Sequence, residues 1–143
     1  MDQGVQGLES TIRTLEKVNI NTVGAGKNLA DASKPFIFEF ANKKIGVYAC
    51  AEHEFSIATE NQPGANPFDP LWSLDHVAEL KDSVDYVIVL YHGGKEHYRY
   101  PSPRLQKVCR RLIDKGANVV ICQHSHWGLS HVRVLCYNKI TKI

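Results

Sequence analysis

Two short, almost uninterrupted apolar runs constrain this chain more than any other feature. Tyr86-Val87-Ile88-Val89-Leu90-Tyr91 and Asn118-Val-Val-Ile-Cys122 are rich in β-branched residues and too short for buried helices. Runs of this kind suit strands covered on both faces, as in parallel sheets. Between them lies a well-marked helix. Ser102 caps it, Pro103 opens it, Leu105, Val108, Cys109, Leu112 and Ile113 form its apolar stripe, and Gly116 ends it. A second helix, capped by Ser73 and covering Leu74 to Lys81, precedes the first run. Helix, strand, helix, strand in this order predicts α/β crossovers and a partly parallel sheet.

The N-terminal half is less regular. Val5, Leu8, Ile12, Leu15 and Val18 recur at spacings of three and four, so Gly4 to Val18 reads as an amphipathic helix. Asn19 to Val23 reads as a short strand closed by Gly24-Ala25-Gly26, and Leu29 to Ala32 as a helical turn stopped before Pro35. Phe36–Phe40 and Ile45–Cys50 flank four polar-to-small residues and predict a β-hairpin. Glu52 to Pro70 is a long irregular stretch carrying Pro63, Gly64, Pro67 and Pro70, with Phe55, Ile57, Phe68 and Trp72 as anchors. Loops of that length inside a domain are often functional.

Composition sets wider limits. At 143 residues, 43% of them hydrophobic, the chain suits one domain. A formal charge of +2 gives no reason to expect nucleic acid as a partner. No apolar run approaches the roughly 20 residues of a membrane-spanning helix, and Met1-Asp2-Gln3-Gly4 carries no leader. A cytoplasmic or envelope-associated location is expected. The four cysteines (Cys50, Cys109, Cys122, Cys136) form no Cys-x-x-Cys pair and read as thiols.

Chemistry points to the two strand ends. The first run ends in His92-Gly93-Gly94 and the second in Gln123-His124-Ser125-His126. In open α/β sheets ligands collect at the carboxyl ends of strands. Parallel neighbours would therefore bring three imidazoles, which ligate transition metals well, to one edge. Around them, Lys95, His97 and Arg99 either offer an anion cations or form a solvated loop of mixed charge. Glu52, His53 and Glu54 follow the strand ending at Cys50, where a carboxylate would act as ligand or base, or simply face solvent. Gly24-Ala25-Gly26 would cradle a phosphate or make a plain turn. Asp2 suits the first turn of a helix.

In combination and order, Gly24-Ala25-Gly26, Tyr91-His92-Gly93-Gly94, Gln123-His124-Ser125-His126 and Pro63-Gly-Ala-Asn-Pro-Phe-Asp-Pro70 resemble the bacterial capsule-synthesis CapA family, over about Asp2 to His126. That family is related to the calcineurin-like metallophosphatases. The resemblance implies an α/β fold, a layered αββα sandwich. It also implies divalent metal ions (Mn, Fe or Zn) held by His92, His124 and His126. The expected activity is a phosphoesterase-like hydrolase in the synthesis or export of poly-γ-glutamate capsule, which would use a metal-activated water as nucleophile. Asp2 and His97 would then be catalytic, Asp2 by orienting a histidine. Lys95, Arg99, Glu52 and Glu54 would meet an anionic polymer or phosphoester, and other capsule-synthesis proteins would be partners. Asp2-Gln3-Gly4 matches only the tail of the family's Asn-Asn-His-x-x-Asp-x-Gly motif, and Trp127 to Ile143 shows no Gly-Asn-Phe segment. Residues 1–143 are therefore expected to form a single partial domain, incomplete at both ends. The alternatives are a non-catalytic, anionic-polymer-binding assembly module and an inactive fragment.

Overall fold

Helix and strand alternate through the computed structural model, which describes residues 3–53, 55–98 and 100–124 together with the backbone of 136–137. In chain order the elements are α1 (Gly4–Lys17), β1 (Ala25–Gly26), α2 (Leu29–Ala32), β2 (Phe36–Phe40), β3 (Lys43–Ala51), β4 (Gly64–Ala65), α3 (Trp72–Ser83), β5 (Tyr86–His92), α4 (Pro103–Asp114), β6 (Val119–Gln123) and β7 (Cys136–Tyr137). The main sheet has the order β2-β3-β5-β6-β7. β3, β5 and β6 run parallel, with antiparallel β2 and β7 outside them. β1 and β4 form a separate antiparallel pair. The class is mixed α/β, as expected.

Register explains the burial. Tyr48 pairs with Val89, and Cys50 with Tyr91 and then Cys122, so these residues share one face. α3 and α4 pack on that face, and Val77, Leu80, Leu105, Cys109 and Leu112 join Tyr48, Val87, Val89, Tyr91 and Val120 in one core. Cys109 and Cys122 meet there as thiols, Sγ to Sγ 3.4 Å apart. Burial holds the Cys50 thiol up at about 12. The opposite face carries Val47, Ala49, Ile88, Leu90, Val119 and Ile121, all only half-buried. The expected cover on both faces of β5 is thus complete on one face alone among the described residues.

Most local expectations hold. Ser102 accepts a hydrogen bond from the Leu105 amide at 3.2 Å, and Pro103 opens α4. Asn28 caps α2 through the Asp31 amide. The hairpin turns on Ala41 and Asn42, both at positive φ (50° and 60°), which matches the twist of its strands.

Three expectations need correction. Asn19 to Val23 is not a strand. The Ile20 amide bonds the Leu15 carbonyl and the Asn19 amide bonds that of Glu16, with Asn19 at φ 57°, so a Schellman cap consumes the donors a strand would need. Ser73 lies inside α3 rather than capping it; Asp69 Oδ1 accepts from the Leu71 and Trp72 amides, while Ser73 Oγ accepts from the Asp69 amide. Trp72 is 48% exposed and anchors little, whereas Phe68, Ala58 and Asn66 are buried. α1 forms over Gly4–Lys17 as expected; its apolar stripe buries no residue among the described ones, because periodicity states that a stripe exists and not what covers it. No helix among the described residues is long and apolar enough to cross a membrane.

Candidate functional site

The carboxyl ends of β3, β5 and β6 are tied together one residue beyond the regular ladder. The Glu52 amide donates to the His92 carbonyl at 3.0 Å, and the Gly93 amide to the Gln123 carbonyl at 3.1 Å. His92 pairs with Gln123, so His92 and His124 leave adjacent parallel strands side by side. Their ring centroids are 5.1 Å apart, tilted by 52°. Phe55, from the loop after β3, sets its ring edge-on to both, at 4.6 Å from His92 and 4.9 Å from His124. His124 has φ 114°, in a region that side chains rarely adopt. Such a conformation costs on the order of 1–3 kcal/mol and persists only where surroundings impose it.

Glu96 completes the group. The chain turns back after Gly93-Gly94, and Glu96 Oε1 lies 3.2 Å from His124 Nε2, whose side chain is only 8% exposed. A neutral imidazole that donates Nε2–H to this carboxylate keeps its lone pair on Nδ1. A carboxylate behind a histidine is the usual way to fix the tautomer of a metal ligand. The ring separation also suits one. With a metal–nitrogen distance of about 2.1 Å, each centroid stands about 3.2 Å from the ion, and two ligands at a tetrahedral angle stand about 5.2 Å apart. The observed separation of 5.1 Å matches that length. No group of three or more His, Cys, Asp or Glu side chains gathers as a metal site among the described residues.

The other expected residues are placed as follows. Glu52 faces inward along the edge: the Tyr91 hydroxyl donates to its Oε1 at 2.9 Å and the Gly94 amide to its Oε2 at 3.1 Å. Burial, then the bond to Glu52, holds the Tyr91 phenol well above its ordinary range. Lys95 lines a cavity of about 280 Å³ with Phe55, Gly94, Glu96 and His124, and its Nζ lies 5.1 Å from the Tyr98 ring centroid. The His97 side chain is 71% exposed, and its Nε2 lies 4.0 Å from Glu96 Oε2, the carboxylate whose other oxygen meets His124. His53 is exposed. Asp2, Glu54, Arg99 and His126 lie outside the described residues. Ala25-Gly26 pairs with β4, and Gly24 O accepts from the Asn66 amide at 2.8 Å, so this glycine loop is engaged in strand pairing.

Two contributors were not singled out from sequence. Glu96 reads as one charge in a mixed loop; the signal was its distance of four residues from His92 across a Gly-Gly turn, short enough to bring it back to the strand ends. Phe55 reads only as a loop anchor, since nothing local says that it meets two histidines.

The family model for the bacterial capsule synthesis protein PGA_cap matches residues 1–135. The chain is 33% identical over 130 residues to the PGA biosynthesis protein CapA of Bacillus subtilis (strain 168), an alignment that takes in 88% of this chain and 34% of that protein. It is 30% identical over 133 residues to the capsule biosynthesis protein CapA of Bacillus anthracis, with 87% and 32% covered. The chain spans about a third of the length of these curated relatives.

Proposed function

Since the chain belongs to the bacterial capsule synthesis protein family, we propose that it supplies the histidine part of a divalent metal centre in a phosphoesterase-like hydrolase acting in capsule polymer synthesis or export. The observation that carries this reading is the pair of imidazoles, His92 and His124, 5.1 Å apart at the ends of parallel neighbours. These two residues would hold the ion, with His126 as the third candidate ligand. A divalent ion held there would supply Lewis-acid chemistry, polarising a phosphoryl oxygen and lowering the pKa of a water. Glu96 orients His124, and Phe55 walls the two rings from one side. Lys95 offers a cation to an anionic phosphoryl or carboxylate group at the cavity mouth. The capsule role rests on what the two Bacillus relatives are called.

The test is metal content together with turnover in the full chain. Stoichiometric Mn, Fe or Zn, lost in His124→Ala, with hydrolysis of a phosphodiester that stops on chelation and returns with metal, is the expected result. A metal content at background that His124→Ala leaves unchanged would overturn the reading. Binding of poly-γ-glutamate without any turnover would replace the hydrolase with a polymer-binding assembly module.

A further inference from the structure

We infer that Glu52 is a positioning residue: it clamps the His92-Gly93-Gly94 turn and thereby keeps the His92 imidazole beside His124. The inference rests on the metal-centre reading for its consequence, though not for its geometry. Three links converge on this one residue. Its amide donates to the His92 carbonyl at 3.0 Å, its Oε1 accepts from the Tyr91 hydroxyl at 2.9 Å, and its Oε2 accepts from the Gly94 amide at 3.1 Å. Residues on both sides of His92 are thus held by a single carboxylate that belongs to the neighbouring strand end.

Packing adds a fourth observation. A Cβ built on Gly93 would stand 2.5 Å from Glu52 Cγ and 2.7 Å from its Cδ. The stem of Glu52 lies against the bare Cα of Gly93, so the glycine and the glutamate specify each other. Tyr91 is 1% exposed, and without Glu52 its hydroxyl would lose this acceptor. Leaving a buried donor unmatched is costly. Both carboxylate oxygens already accept a bond from the protein, an arrangement suited to holding a loop rather than to meeting a substrate.

The test is Co²⁺ titration, followed by visible absorption, on wild type, Glu52→Ala, Glu52→Gln, Tyr91→Phe, His92→Ala and the Glu52→Ala/His92→Ala double variant. Outer partners of ligands are worth about 10–100-fold in metal affinity. Glu52→Ala is expected to weaken Co²⁺ by that factor. Glu52→Gln, which keeps one carbonyl acceptor, should fall between it and wild type, and Tyr91→Phe should cost a smaller factor. Because Glu52 acts through His92, the double variant should bind no more weakly than His92→Ala. Wild-type affinity in Glu52→Ala, or a full additional loss in the double variant, would overturn the inference. Should Glu52→Ala fail to fold, Glu52→Gln and Tyr91→Phe carry the same comparison.

Amide exchange separates this inference from the metal reading. Exchange at Gly94 should quicken at least about tenfold in Glu52→Ala, which removes the acceptor, while Val89 and Leu112 stay protected and report an intact fold. If wild type binds no Co²⁺ yet Gly94 responds in this way, the metal reading falls and the clamp stands. Unchanged exchange at Gly94 would remove the clamp whatever the metal does.

Discussion

The two faces of the central sheet are built from the same strands and meet different fates. On one face Tyr48, Val87, Val89, Tyr91 and Val120 are sealed under α3 and α4; on the other Val47, Ile88, Leu90 and Ile121, equally apolar, are half-exposed. The helix-covered face carries the core. The open face leads along β5 to His92, and with Phe55 it borders a second cavity, of about 350 Å³, that reaches Ala49 and Leu90. Stability and candidate chemistry are thus separated by the two-residue period of a strand.

Core truncation should show the contrast most strongly. Leu112→Ala should cost about 2–5 kcal/mol, as for a fully enclosed leucine, while Leu90→Ala should cost roughly half as much or less, both read from urea midpoints. Equal costs would break the contrast and mean that the open face is covered in the full chain. Next comes Gly93→Ala, on the boundary between core and site. Its new methyl must displace the Glu52 side chain, at about 1–3 kcal/mol for an overpacked position. It should weaken metal binding as well, whereas Leu90→Ala should not.

The smallest effect lies at the opposite end of the strands. Asp85 Oδ2 accepts from the Lys44 amide at 2.9 Å and Oδ1 from Lys43 Nζ at 3.1 Å, and these bonds hold its carboxyl below the ordinary 3.8. A depressed carboxyl contributes stability that is present above its unfolded pKa and is lost as pH falls through the folded one. Asp85→Asn should therefore lower the urea midpoint slightly at about pH 7 and match wild type at about pH 2. A persistent difference at the lower pH would assign the effect to packing instead. Metal binding near neutral pH should not respond to this change.

Much of the closed face was legible in the sequence. The β5 and β6 runs, the Ser102-Pro103 opening of α4 and the hairpin all follow from local chemistry, because propensity, capping and turn residues agree there. The open face was not: an apolar run looks the same whether one or two faces are covered. α1 was legible as an amphipathic helix, but its stripe carries no information about a partner surface. At the site, the convergence of His92 and His124 followed from parallel pairing. The roles of Glu96, Phe55 and Tyr91 did not, because each depends on a contact between loops that no periodicity encodes. Glu52 was read from its strand-end position as a ligand, base or substrate contact, and its bonds to Tyr91 and Gly94 only become visible in three dimensions.

The central claim is that His92 and His124 grip the same ion. Anomalous scattering from crystals soaked in Zn²⁺ or Mn²⁺ tests it most directly. The account predicts a peak between the two rings, about 2.0–2.3 Å from a nitrogen of each. A peak touching only one of them, or none above noise at this edge of the sheet, would contradict it.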